Sequence, residues 1–236
     1  MIEEHARIPT ETEYASEFRY RNPIITNRTL LLGISQSGET ADTLAASRQA
    51  GRLSTRLLAI SNVVGSSVAR EADGVLYTRA GLEIGVAATK TFTSQVAAMA
   101  LLAIRLGIAR GTASRQAVAE ASEALRRVPA LMEEALEQSD AIRRIAERVA
   151  DRDGFFYLGR GLHYPMALEG ALKLKEIAYL QAQGYPGGEM KHGPIALVDA
   201  RTPVVALALS GPTAASMASN IQEVRAREGL VIAAVT

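Results

Sequence analysis

Cysteine is absent from all 236 residues, which excludes disulfides, thiolate catalysis and any zinc site with cysteine ligands. Only three histidines occur, His5, His163 and His192, and none stands at ligand spacing from another; no metal is expected. Charge of one sign is not in excess: 26 lysines and arginines against 25 aspartates and glutamates leave a formal +1. That balance argues against nucleic acid as a partner. Apolar runs read as short, and the opening stretch MIEEHARIPTETEY carries acids where a secretion signal has bases and an apolar segment. No membrane partner is expected, and by elimination the setting is cytoplasmic.

What is present centres on one helix and the loop behind it, Tyr164 to Pro194. Glu169, Lys173 and Glu176 stand at i, i+4 and i+7, so at 100° per residue they share one narrow stripe. Leu168, Leu172, Leu174, Ile177, Ala178 and Tyr179 point in most other directions, which predicts a helix buried nearly all round. Charge on such a helix is paired or lines a cavity. The alternative is a solvated Glu-to-Lys pair.

Along the chain, strands and helices alternate, the pattern of an α/β protein. Thr29 to Ser35 (TLLLGIS) is a continuous apolar run, as in a parallel strand buried on both faces. A helix follows over Thr40–Ala50, a strand over Arg56–Asn62, a short helix in GSSVAREA, a strand over Gly74–Ala80, and a long apolar helix from Thr89 to Leu106. Two amphipathic helices come next, Arg115–Glu137 and Ser139–Ala150, with Pro129 expected to kink or restart the first and Ser139 to cap the second. The second half reads as a strand from Gly154, the central helix, a glycine-rich loop around His192, a strand over Thr202–Ser210, a helix over Thr213–Glu228 and a last strand LVIAAVT.

The halves repeat. TLLLGISQSGET precedes TPVVALALSGPT by 173 residues, and each leads into a helix and another apolar strand, which reads as a tandem duplication. The second copy opens with a strand and helix that have no counterpart ahead of Glu17. The first copy continues through a strand and long helix with no counterpart after Thr236. A fragment of a longer protein is therefore expected.

SQSGET is the best small-anion signal. It follows a strand and opens a helix, so backbone N–H groups and the positive end of the helix dipole point where Ser35, Ser37 and Thr40 place hydroxyls. Gly38 allows close backbone approach. No lysine or arginine lies inside the motif, which favours a small phosphate ester over a nucleoside triphosphate; an ordinary cap with a turn glycine is the alternative. GLEIGVAATK (81–90) has the same strand-to-helix position. His192 sits in a loop where an imidazole can act as acid or base.

SQSGETADTLAA, SNVVGSSVARE, IGVAATKTFTSQ, YLGRGLHYPMALEGALKLKEIAYLQA and GGEMKHGPIALVD closely resemble the isomerase part of the glucosamine-6-phosphate synthases, the glutamine:fructose-6-phosphate aminotransferases (isomerising). The resemblance implies two tandem sugar isomerase (SIS) domains, flavodoxin-like three-layer α/β/α units with parallel sheets, over residues 1–137 and 138–236. It implies that Ser35, Gln36, Ser37 and Thr40 hold a sugar phosphate, with Val86 as a backbone contact. Glu169, Lys173 and Glu176 become the catalytic cluster, with Glu176 the base moving a proton between C1 and C2. His192 helps open the sugar ring and reaches the neighbouring subunit's site, so a homodimer is implied; no cofactor is. The family's glutaminase domain and its cysteine nucleophile are absent. The turn Cys-Gly-Thr-Ser would precede residue 1, and the tail lysine that forms the imine would follow residue 236. The family often carries serine at Ala88, so one ligand hydroxyl is missing. A non-catalytic sugar-phosphate-binding or regulatory SIS module is the other reading.

Overall fold

The computed structural model describes residues 1–53 and 55–236. It divides into two compact units, Met1–Glu133 and Glu134–Thr236.

In the first unit, short helices α1 (Ile2–Ala6) and α2 (Ala15–Phe18) precede β1 (Leu30–Ser35), α3 (Ala41–Arg52), β2 (Arg56–Ser61), α4 (Ser67–Glu71), β3 (Gly74–Tyr77), α5 (Lys90–Arg110) and α6 (Arg115–Leu136). The three strands form a parallel sheet in the order β1-β2-β3, with Leu30 opposite Arg56 and Leu58 opposite Gly74. The central strand β2 buries Leu57, Ala59, Ile60 and Ser61. β1 departs from the expected strand buried on both faces, because Leu30 and Ile34 are exposed. It is the edge of its sheet, so its apolar run is only partly covered.

α5 overturns the expectation that apolar runs are short. Its best 18-residue window has a mean hydropathy of 1.6, so by length and composition it could cross a membrane. It buries Thr91, Leu102, Ala103, Ile104 and Gly107, and α1 docks on its far end, where Thr112 Oγ1 donates to the His5 carbonyl at 2.7 Å. α6 is a single helix running through Pro129; the chain does not restart there. The boundary between the units falls within it.

The second unit holds α7 (Ser139–Val149), β4 (Gly154–Gly159), α8 (His163–Ala178), β5 (Gln181–Pro186), 3-10 turns over Gly187–His192 and Pro194–Leu197, β6 (Pro203–Leu207), α9 (Ala214–Arg225) and β7 (Leu230–Ala234). Ser139 does not cap α7: it is the first helical residue, and its hydroxyl donates back to the Leu136 carbonyl at 2.5 Å. All four strands are parallel, in the order β5-β4-β6-β7. Phe156, Leu158, Met190, Val204, Ala206, Met217 and Val224 make the main core. A smaller cluster of Val149, Phe155, Ala171 and Ala182 lies where α8 and β5 pack on β4.

β5 occupies residues expected to be the end of a helix and a loop. Its sequence, QAQGYP, carries two structure breakers, and both have a physical place. Pro186 ends an edge strand, where a missing N–H is tolerated. Gly184 faces α8, where an added Cβ would lie 2.9 Å from Leu168 Cα and 3.0 Å from its nitrogen.

The duplication is visible in the elements. α3 and α9 are both 12 residues long and begin 173 residues apart, and each follows one strand and leads to its parallel neighbour.

Candidate functional site

The SQSGET loop leaves the carboxyl end of β1 and enters α3, the place where open α/β sheets bind ligands. Ser35 is buried; its hydroxyl lies 3.1 Å from Thr40 Oγ1 and accepts the Gly38 N–H at 3.0 Å. The Ser37 hydroxyl accepts the Glu39 N–H at 3.2 Å. Two of the loop's N–H groups are thus occupied by its own serines, where free groups were expected. Thr40, the residue before α3, makes no side-chain cap, so the head of that helix keeps its positive end for an anion. Gly38 has φ +68, and an added Cβ would run into the Ser66 side chain. Only glycine fits where the loop presses on the segment after β2. Gln36 is half-buried and its carbonyl accepts the Asn62 N–H at 3.1 Å. Val86 is 88% exposed in the loop before α5. Ala88 is half-buried in the same loop.

On α8 the three charged residues meet as their spacing requires. Lys173 Nζ lies 3.1 Å from Glu169 Oε1 and 2.7 Å from Glu176 Oε2. The side chains are 22%, 25% and 31% exposed for Glu169, Lys173 and Glu176, neither solvated nor sealed. The helix is not buried all round, however. Ala167 and Ala171 are buried against the sheet, while Leu168, Leu172, Ile177 and Tyr179 are exposed. The apolar circumference is an uncovered surface on one side.

Burial pulls the Lys173 ammonium down, but attraction to Glu176 and Glu169 outweighs it and holds the group above the ordinary lysine range. Lys173 is therefore a cation at neutral pH, suited to stabilising developing negative charge rather than to taking a proton. Glu176 Oε2 is out of reach of water, and the charged group set against it is the Lys173 ammonium at 2.7 Å.

His192 closes a 3-10 turn rather than lying in a flexible loop, and it is exposed. The turn is anchored by buried Met190 and by Lys191, whose ammonium lies 2.8 Å from Glu223 Oε1 on α9. Buried Asn220 donates to Glu223 at 3.2 Å and accepts from Arg160, just past β4, at 2.9 Å. The Lys191 hydrogen bond holds the Glu223 carboxyl below its usual range.

Several supports have no signature in local spacing. Asn62 Nδ2 donates to the Gly81 carbonyl at 2.7 Å, and its Oδ1 accepts from Thr78 and Ala80, which fixes the start of the Val86 loop. Glu83 Oε2 accepts the Thr91 hydroxyl at 2.6 Å and its N–H at 3.1 Å, capping α5 from outside the helix. Those hydrogen bonds lower the Glu83 carboxyl's affinity for a proton. The only sequence cue is a carboxylate a few residues ahead of a Thr-rich helix start.

A family model described as the SIS domain matches residues 1–105 and 149–236. The glutamine–fructose-6-phosphate aminotransferase (isomerizing) of Methanosarcina acetivorans is 52% identical over 233 residues, 99% of this chain and 38% of its own length. The protein of that name from Thermus thermophilus is 51% identical over all of this chain and 39% of its own length. The solved C-terminal domain of glucosamine-fructose-6-phosphate aminotransferase from Francisella tularensis aligns with a TM-score of 0.97 at 44% identity, over 99% of this chain and 66% of that one. The chain spans 38% and 39% of the length of these two curated relatives.

Proposed function

Because the chain belongs to the SIS domain family, we propose that it is the sugar-phosphate isomerase core of a glutamine:fructose-6-phosphate aminotransferase. It converts fructose 6-phosphate to glucosamine 6-phosphate in the cytoplasm, with ammonia from a glutaminase domain outside these residues. The observation that carries the reading is the α8 cluster: two half-buried carboxylates flanking a lysine held charged.

In this reading Ser35, Gln36, Ser37 and Thr40 take the ester phosphate at the head of α3, with the Val86 backbone as a further contact. Glu176 removes a proton from one of the two adjacent carbons and returns it to the other. Lys173 stays protonated, keeps Glu169 and Glu176 in place and offsets charge developing on the substrate oxygen. His192, exposed at the end of its turn, donates or accepts the ring-opening proton and serves a neighbouring subunit's site, in a homodimer. No cofactor takes part. In this reading the two SIS domains run over 1–137 and 138–236.

The test uses the full-length protein supplied with fructose 6-phosphate and either glutamine or ammonium. Glucosamine 6-phosphate should form, and Glu176→Gln should lower kcat by about 100-fold or more with little change in KM. Unchanged turnover in that variant would overturn the role of Glu176. Saturable binding of fructose 6-phosphate without any turnover in the unaltered protein would favour a regulatory or binding module instead.

A further inference from the structure

Glu39 is a carboxylate set among the hydroxyls assigned above to phosphate, where unpaired charge would repel an anion. Its side chain is committed elsewhere. Oε1 accepts the Ser67 N–H at 2.7 Å, and Oε2 accepts the Ser67 hydroxyl at 2.7 Å. Arg70, one turn further along α4, donates to Ser67 Oγ at 2.9 Å and to the Gly65 carbonyl. Two backbone ties flank this grip: Val68 N–H to the Gly38 carbonyl at 3.0 Å, and Asn62 N–H to the Gln36 carbonyl at 3.1 Å. The segment from β2 to α4 therefore clasps the loop, and Glu39 supplies the side-chain part of the clasp.

The duplicated loop offers a contrast within the same chain. At the position matching Glu39 stands Pro212, which has no carboxylate. The neighbouring Gly211 has φ +137, and among the described residues nothing lies within 4 Å of an added Cβ, whereas Gly38 is pressed against Ser66 and Ser61. The packed loop and the carboxylate occur together in one copy and are missing together from the other.

We propose that Glu39 is a positioning residue for phosphate: by gripping Ser67 it holds Ser35, Ser37 and Thr40 in the arrangement that receives the ester. This rests on the reading of the loop as a phosphate site. It makes a prediction opposite in sign to simple repulsion, under which removing an acid beside an anion tightens binding.

Binding of fructose 6-phosphate to the full-length protein is measured by calorimetry for the unaltered protein and for Glu39→Ala, Glu39→Gln, Ser67→Pro and the Glu39→Ala/Ser67→Pro pair, each checked by thermal melt. Ser67 is the first residue of α4, a position that accepts proline, and Ser66 before it has φ −60 and ψ 163, as a residue preceding proline requires. Ser67→Pro thus removes both donors without altering the loop, and it carries the test should Glu39→Ala fail to fold. Glu39→Ala and Ser67→Pro should each weaken binding about tenfold, the effect of losing a charge-assisted hydrogen-bonded pair. Glu39→Gln should recover part of the loss through its amide oxygen, and the double variant should be no worse than either single one. Equal or tighter binding by Glu39→Ala, or fully additive losses, would overturn the positioning role while leaving the phosphate reading intact. Absence of saturable binding by the unaltered full-length protein would overturn the phosphate reading, and the clasp with it.

Discussion

Lys173 is held by two carboxylates from its own helix, and each of them depends on it. Without the ammonium, Glu169 and Glu176 would share a half-buried stripe as like charges. Lys173→Met should therefore lower stability at neutral pH by about 1 kcal/mol, the upper end for a partly exposed pair. The pH dependence has a definite sign. The folded lysine titrates above its ordinary value, so its contribution is complete below about pH 10 and fades as pH rises through the folded value. Urea melts of both proteins across pH measure this directly. The i, i+4, i+7 spacing made the cluster legible, because a helix's periodicity places those side chains together whatever surrounds it. Glu39, Asn62 and Glu83 were not legible as supports. Their partners at Ser67, Gly81 and Thr91 are brought near only by the fold.

α8 and β5 are adjacent because Gly184 lets them be. A methyl group there would meet the backbone of Leu168 within 3.0 Å, and backbone cannot turn aside as a side chain can. Gly184→Ala should push the helix from the strand and cost about 2 kcal/mol, within the range for overpacking a core. Denaturant melts give the stability. A fall in kcat larger than in substrate affinity would show that the displaced helix carries the proton-transfer groups. The same glycine explains a difference from the sequence reading: QAQGYP has little β-propensity, and its strand state comes from register with β4, Gly154 to Gly159 against Gln181 to Pro186. β1 shows the converse. TLLLGIS is legible as a strand, but whether it lies at the centre or edge of a sheet depends on pairing order, which residue type does not encode.

For the molecule as a whole, the apolar side chains that remain uncovered are as informative as the buried ones. α8 exposes Ile177 at 62% and is followed by Tyr179 at 90%, and the loop before α5 exposes Ile84 and Val86 at 88% each. Exposed apolar side chains of this size on a surface are a mark of interaction sites, and the homodimer proposed above would cover them. The two α/β units and their duplication were legible because strand–helix–strand order survives in hydrophobic pattern; the uncovered faces were not, since pattern alone does not separate a core from an interface. Sedimentation should find a species of twice the chain mass, and a stable monomer at high concentration would count against a dimer. An association built from those surfaces also has a thermal character. Burying Ile177, Tyr179, Ile84 and Val86 lowers the heat capacity, and the driving force weakens on cooling. The assembly should accordingly loosen in the cold, with a dissociation constant that rises as the temperature falls towards freezing.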